Sequence, residues 1–166
     1  MKKQAVLVLI SLFVGGPACA CSCMAGFTVG DHFERATHVF IAVVTGIERP
    51  RVPDALRGDS WLDRNDPTAV NRVLKGSFRV TSSLKGDASA LAAVYTHLDS
   101  VTCGLTLARG EEYLFFADAR GVVDLCGGNV ARSSPDYREI IGNLRRYQAE
   151  LARPVARPRI ILAPDE

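Results

Sequence analysis

Short apolar runs separated by polar turns dominate the middle of the chain and predict β-strands. The stretch from His38 to Ile47 is apolar and rich in β-branched residues, which is typical of a buried strand. In the next run apolar and polar residues alternate before a Lys-Gly-Asp turn, which places Phe78, Val80, Ser82 and Leu84 on one face. Three further strands are predicted at Leu91 to His97, Tyr113 to Ala117 and Val122 to Cys126. Five short, irregularly spaced strands predict a small closed barrel.

Helices are predicted on both sides of this β region. Phe27 to Arg35 has the pattern of a short helix or turn. Near the C-terminus, Ser134 is suited to cap a helix that has Pro135 in its first position and Asp136 at its positive end. The apolar face of this helix is predicted to contain Tyr137, Ile140, Ile141, Leu144 and Leu151. The expected fold class is therefore mainly β with flanking helices.

Two segments lack a regular pattern. Glu48 to Asn71 is polar and contains three prolines, so we expect a long loop. It carries Trp61, the only tryptophan, which we expect to fold back onto the barrel as a local anchor. The stretch from Ala152 to Glu166 has three more prolines and is predicted to be an extended or disordered tail.

The first 20 residues have the pattern of an export signal. Lys2 and Lys3 precede an apolar run, and Ala18-Cys19-Ala20 matches the small-x-small site of a signal peptidase. The run is too short for a transmembrane helix, and no later segment approaches the ~20 apolar residues that one needs. We therefore predict an exported protein, periplasmic or extracellular, with one domain over residues 21–151.

Cleavage after Ala20 changes the cysteine count from odd to even, because it removes Cys19. Paired thiols are expected of an exported protein, although four cysteines allow three pairings and the spacing does not choose among them. Lipidation of Cys21 would leave three thiols, and the preceding triplet lacks the expected leucine. A structural zinc site is disfavoured because only one C-x-C is present. The four remaining cysteines are Cys21, Cys23, Cys103 and Cys126.

Charge and motifs exclude several classes of function. The chain has 20 basic and 18 acidic residues, and loss of Lys2 and Lys3 makes the mature protein nearly neutral, which gives no support to nucleic-acid binding. No common catalytic motif is present, so we predict that the protein is not an enzyme and needs no cofactor. The remaining candidates are expected to be structural: the scattered His32, His38 and His97, and the turn residues Asp118 and Asp124.

An ordered series of short motifs resembles the N-terminal domain of the tissue inhibitors of metalloproteinases, within the broader netrin-like group. The series consists of Cys21-Ser22-Cys23, Tyr95-Thr96, Cys103-Gly104, Tyr113-Leu114 and Leu125-Cys126. The resemblance implies a five-stranded OB-type barrel with helices at its ends. The chain lacks the third N-domain disulfide and the C-terminal subdomain of the vertebrate inhibitors, and is more similar to short single-domain bacterial relatives of them.

The resemblance also implies a disulfide pairing and a mode of action. The implied pairs are Cys21–Cys103 and Cys23–Cys126. The free α-amine and carbonyl of Cys21 would chelate the zinc of a target metalloprotease, and Ser22 would enter the specificity pocket. The implied inhibitory wedge is Cys21, Ser22, Cys23 and Met24, with a second contact edge at Ser100, Val101 and Thr102 and no metal of its own. The alternative is a non-inhibitory interaction or structural module, because one fold supports many functions.

Overall fold

The computed structural model describes residues 23, 26–50, 72–98 and 103–153. In chain order the elements are helix α1 (Val29–Arg35), strands β1 (His38–Glu48), β2 (Val73–Lys85), β3 (Val94–His97), β4 (Glu112–Ala117) and β5 (Val130–Ala131), and helix α2 (Tyr137–Leu151). Short 3₁₀ turns lie at Ala88–Ala90 and Leu125–Gly127. The predicted export signal, the Trp61 loop and the proline-rich tail lie outside the described residues.

The five strands form one antiparallel sheet that curls into a half-barrel. The order is β3-β2-β1-β4-β5, so β1 is the central strand. The edge strand β3 also approaches the segment that follows β4, through one parallel bridge between Tyr95 and Val122. Gly121, with φ +83°, makes this approach possible because a Cβ at that position would clash with the carbonyl oxygen of Ala93. The mainly β architecture with a C-terminal helix therefore agrees with the sequence prediction.

The sheet separates two apolar clusters. Phe40, Tyr113 and Phe115 lie in the cluster inside the curl. Val39, Leu114 and other side chains of the opposite face form a second cluster with the helices. Strand β4 contributes to both clusters, which explains why it is a continuous apolar run rather than an alternating one.

The helices pack against the second cluster. Thr28 and Asp31 form a reciprocal capping box at the start of α1. At the end of α1, the Lys85 ammonium donates hydrogen bonds to the carbonyl oxygens of Phe33 (2.6 Å) and Glu34 (3.0 Å). The ring of Tyr147 from α2 packs edge-on against Phe33. These contacts fix α1 between the sheet and α2.

Several predicted details of the strands are wrong. The fifth strand is not Val122 to Cys126 but Val130–Ala131, because the earlier segment forms a bridge and a 3₁₀ turn. Strand β2 starts at Val73, before the predicted Phe78, and β3 starts at Val94 rather than Leu91. Register shifts between β1 and β2 skip Leu84, so its side chain packs with the helices instead of sharing the interior face.

Two predicted details of α2 are also wrong. The helix starts at Tyr137, so Pro135 precedes it and Ser134 does not occupy the capping position. Instead, the carbonyl of Ser134 accepts the N–H of Tyr137 (3.2 Å) in a turn before the helix. Leu151 is 56% exposed, whereas Leu144 is buried, so the packed face ends before the last turn of the helix.

Candidate functional site

A disulfide attaches the segment before α1 to the region that follows β4. Cys23 is bonded to Cys126, with the two Cα atoms 5.1 Å apart and a sequence separation of 103 residues. Cys126 lies in the 3₁₀ turn Leu125–Gly127. This pair is the one that the resemblance implies. The bond therefore holds the N-terminal segment against a specific turn.

Cys103 lies next to the turn that carries Cys126 and is itself disulfide-bonded. Its carbonyl oxygen accepts the backbone N–H of Leu125 at 2.8 Å, so Cys103 and Cys126 belong to neighbouring segments. Cys103 has φ +61°, a left-handed conformation that is uncommon outside glycine. We refer to Cys23, Cys103, Leu125 and Cys126 as the disulfide corner.

Two buried polar side chains fix the backbone around the disulfide corner. The Oγ1 atom of Thr96, on β3, accepts the N–H of Leu105 at 2.8 Å and so holds the segment that follows Cys103. The side-chain oxygen of Asn129 accepts the N–H of Phe116 (2.7 Å), and its amide nitrogen donates to the carbonyl of Asp124 (2.7 Å). Both sides of the corner are thus anchored to the sheet.

The structure brings together only part of the predicted site. Cys23, Cys103 and Cys126 meet at the disulfide corner. The wedge residues Cys21, Ser22 and Met24 lie outside the described residues, as does the predicted contact edge of Ser100, Val101 and Thr102. The pairing of Cys21 with Cys103 stays a prediction.

The histidines occupy three different environments. His38 begins β1 and His97 ends β3, as the sequence indicated. The Nδ1 atom of His38 is buried and has no hydrogen-bond partner in the described part of the chain. His32 projects from α1 between the rings of Phe27 (5.9 Å) and Phe116 (6.0 Å). It also touches the turn at Gly128, where a Cβ would lie 2.8 Å from the imidazole.

A cavity of about 520 Å³ opens between α1 and the disulfide corner. We call it the α1 cavity. The disulfide Cys23–Cys126 forms part of its wall, and the side chains that bear on its chemistry are Phe27, His32, Arg35, Phe116, Val122 and Asp124. The sequence does not indicate this cavity, because its lining residues come from separate segments without a common motif.

Burial and nearby charges set the protonation state of His32, which lines this cavity. Loss of hydration lowers the pKa of His32 below its usual range, and Arg35 acts in the same direction while Asp31 and Asp124 oppose it. On the same wall, the carboxylate of Asp118 accepts hydrogen bonds from the Arg120 side chain and from the backbone N–H groups of Arg120 and Val122. The cavity therefore combines a neutral imidazole with a fixed ion pair.

The described residues contain no candidate metal cluster and no candidate membrane-spanning helix. In the four described stretches, no group of three or more His, Cys, Asp or Glu side chains is placed to hold a metal ion. Neither of the two helices described there is long and apolar enough to cross a bilayer.

The chain matches no protein-family model and no curated protein.

Proposed function

We propose that the mature protein is an exported, netrin-like OB-type module that binds a zinc metalloprotease through the wedge Cys21-Ser22-Cys23-Met24. The observation that supports this proposal most is the 2.8 Å hydrogen bond from Leu125 to Cys103. It places Cys103 beside the segment of Cys126. Because Cys21 and Cys23 are only two residues apart, bridges from both require acceptor cysteines that lie close together.

The proposed chemistry uses the N-terminus as a ligand for the zinc of the target. Catalytic zinc keeps an open position for water, which an amine and a carbonyl oxygen of Cys21 can displace. An α-amine has a pKa of about 7.7–8.0, so its deprotonation costs little near neutral pH. Bridges to Cys103 and Cys126 would keep the wedge rigid and reduce the entropy lost on binding.

The second candidate is a non-inhibitory interaction module in which the disulfides only stabilise the fold. The observation that favours it is the α1 cavity, which offers a binding site that needs no free N-terminus. The two candidates differ in one requirement. Inhibition needs the α-amine of Cys21 in register with the zinc, whereas binding in the α1 cavity does not.

An added residue at the N-terminus tests the inhibitor proposal. One alanine before Cys21 moves the amine by about 3.5 Å, so inhibition of a panel of zinc proteases should fall by at least about a hundredfold. The matched control carries one alanine after Glu166. Circular dichroism and the melting temperature should be the same in both variants. Equal inhibition by the two variants, or no inhibition by the unmodified protein at micromolar concentration, would exclude the wedge mechanism.

A further inference from the structure

The α1 cavity has an apolar surface of the size used by small ligands. Sites for small molecules commonly occupy about 300–1,000 Å³, a range that includes this cavity. Phe116 and Val122 are buried, and Phe27 is half-buried. All three line the cavity. A ligand that fills the cavity would therefore place an apolar group against these side chains.

Arg35 provides hydrogen-bond donors on the same wall. Its guanidinium carbon lies over the Phe27 ring, 4.2 Å from the ring centre, which is a cation–π contact. A guanidinium has five N–H donors in a fixed fork, which a planar acceptor such as a carboxylate matches. Among the described residues, no carboxylate lies within ion-pair distance of Arg35. The donors of Arg35 are thus suited to an acceptor from outside the chain.

The neighbouring carboxylate of Asp118 is not an acceptor for Arg35, because its own hydrogen bonds are already satisfied. Its Oδ1 accepts the backbone N–H groups of Arg120 (2.8 Å) and Val122 (2.8 Å). Its Oδ2 accepts Nε (3.0 Å) and Nη2 (2.6 Å) of Arg120. Four hydrogen bonds fill the acceptor capacity of a carboxylate. Asp124 is then the acidic group of the lining that remains to influence the charge of a ligand.

We propose that the α1 cavity binds an apolar carboxylate. The carboxylate pairs with the guanidinium of Arg35, and the apolar body lies against Phe27, Phe116 and Val122. Two sources share this chemistry: a free small organic acid, and the C-terminal carboxylate of a peptide that ends in an apolar residue. The site shares only Cys23 with the proposed wedge, through the disulfide in its wall, and needs neither the α-amine of Cys21 nor Ser22. This proposal therefore does not rest on protease inhibition.

The test is a titration of the isotope-labelled, disulfide-bonded protein followed by amide chemical shifts. The probes are 3-phenylpropionate, 2-phenylethylamine, and the tripeptide Ala-Ala-Phe with either a free or an amidated C-terminus. Saturable shifts at Phe27, Arg35 and Val122 are expected with phenylpropionate and not with the amine. If the free tripeptide also binds and the amidated one does not, the source includes peptide C-termini. If only phenylpropionate binds, the source is a small acid. Absence of saturable shifts with both carboxylates would overturn the proposal, as would tighter binding of the amine.

Charge variants identify the residue that recognises the carboxylate. Arg35→Gln should weaken phenylpropionate binding at least about tenfold, because a hydrogen bond to a charged group is lost. Arg109→Gln changes an exposed arginine outside the cavity and should leave binding unchanged. Asp124→Asn removes the acidic group of the lining and should strengthen binding. Unchanged affinity in a folded Arg35→Gln variant would contradict the assignment. If that variant folds poorly, unchanged affinity in Asp124→Asn would contradict it instead.

Discussion

The side-chain oxygen of Asn129 accepts the backbone N–H of Phe116 at 2.7 Å, at a position only 7% exposed. Strand pairing between β4 and β5 ends at Leu114 and Val130, so Phe116 has no strand partner on that side. Asn129 replaces the missing partner. Because its amide nitrogen also donates to the carbonyl of Asp124, the same side chain connects β4 to the turn that carries Cys126.

Replacement of Asn129 should therefore destabilise the protein strongly. Asn129→Ala leaves the N–H of Phe116 and the carbonyl of Asp124 without partners, which should cost about 2–4 kcal/mol of unfolding free energy. Asn129→Asp keeps an acceptor but loses the donor, so it should also be destabilising. Urea unfolding measures both effects. The control is Asn143→Ala, because Asn143 lies on α2 away from this turn. A loss below about 0.5 kcal/mol in Asn129→Ala would contradict this role.

The hydroxyl of Thr96 should be required for the segment that follows Cys103. Thr96 is fully buried, and its Oγ1 is the acceptor for the N–H of Leu105. Thr96→Val keeps the volume but leaves that N–H unsatisfied, which should cost about 1–3 kcal/mol. Thr96→Ser retains the hydroxyl and loses only a methyl group. Unfolding free energies should therefore rank wild type above serine and serine above valine, and a valine variant as stable as wild type would disprove the requirement.

Local patterns predicted best the strands that are continuous apolar runs, and they missed the one strand that is too short to have a pattern. β1 and β4 are long apolar runs, and their bounds differ from prediction by one residue. β5 has only two residues, Val130 and Ala131, and a pair of that length has no detectable period. Leu84 follows the alternation in the sequence. Register shifts between β1 and β2 nevertheless place its side chain against the cluster that includes the helices. Bulges of this kind depend on pairing with a distant strand, which a local pattern does not contain.

The disulfide is the only part of the candidate site that could be predicted from the sequence. The cysteines can be counted, and the resemblance supplies a pairing that the bond between Cys23 and Cys126 matches. The roles of Asn129 and His32 depend on neighbours that the fold brings together from α1, β4 and the 3₁₀ turn. The sequence contains one indication of the role of Asn129, which is its position directly after Gly128. Asparagine side chains beside a turn often form hydrogen bonds with the backbone of that turn. Nothing comparable marked His32.

Stability should decrease as the solution is acidified through the titration of His32. Burial between Phe27 and Phe116 lowers the pKa of His32 in the folded protein. The unfolded chain, with a histidine pKa near 6.5, then binds more protons, so the stabilisation present above about pH 6.5 is lost as the pH falls. Asp31 and Asp124 oppose the shift, so the effect should be only on the order of a few degrees in melting temperature.

A glutamine variant isolates this contribution. His32→Gln cannot titrate, so its melting temperature should fall less than that of the wild type between pH 7.5 and 5.5. The comparison cancels the contributions of the carboxyl groups, which are common to both proteins. Parallel curves for the two proteins over this range would show that His32 does not cause the pH dependence.

The disulfide corner should be the largest single contribution to stability from outside the apolar clusters. The bond between Cys23 and Cys126 spans 103 residues, and a loop of about that length restricts the unfolded chain by roughly 4–5 kcal/mol in the chain-entropy model, although measured values are commonly about 2–4 kcal/mol. The double variant Cys23→Ala, Cys126→Ala should lose stability in that measured range. Peptide mapping of the unreduced wild type should find Cys21 linked to Cys103, and the double variant should keep that bridge. The Cys21–Cys103 bridge should survive because the N–H of Leu125 and the Oγ1 atom of Thr96 hold the segment around Cys103 without the bond between Cys23 and Cys126.

Two outcomes would show that the bridges do not constrain the N-terminus as the inhibitor proposal requires. One is a Cys21–Cys23 link in the wild type, and the other is a double variant that is as stable as the wild type.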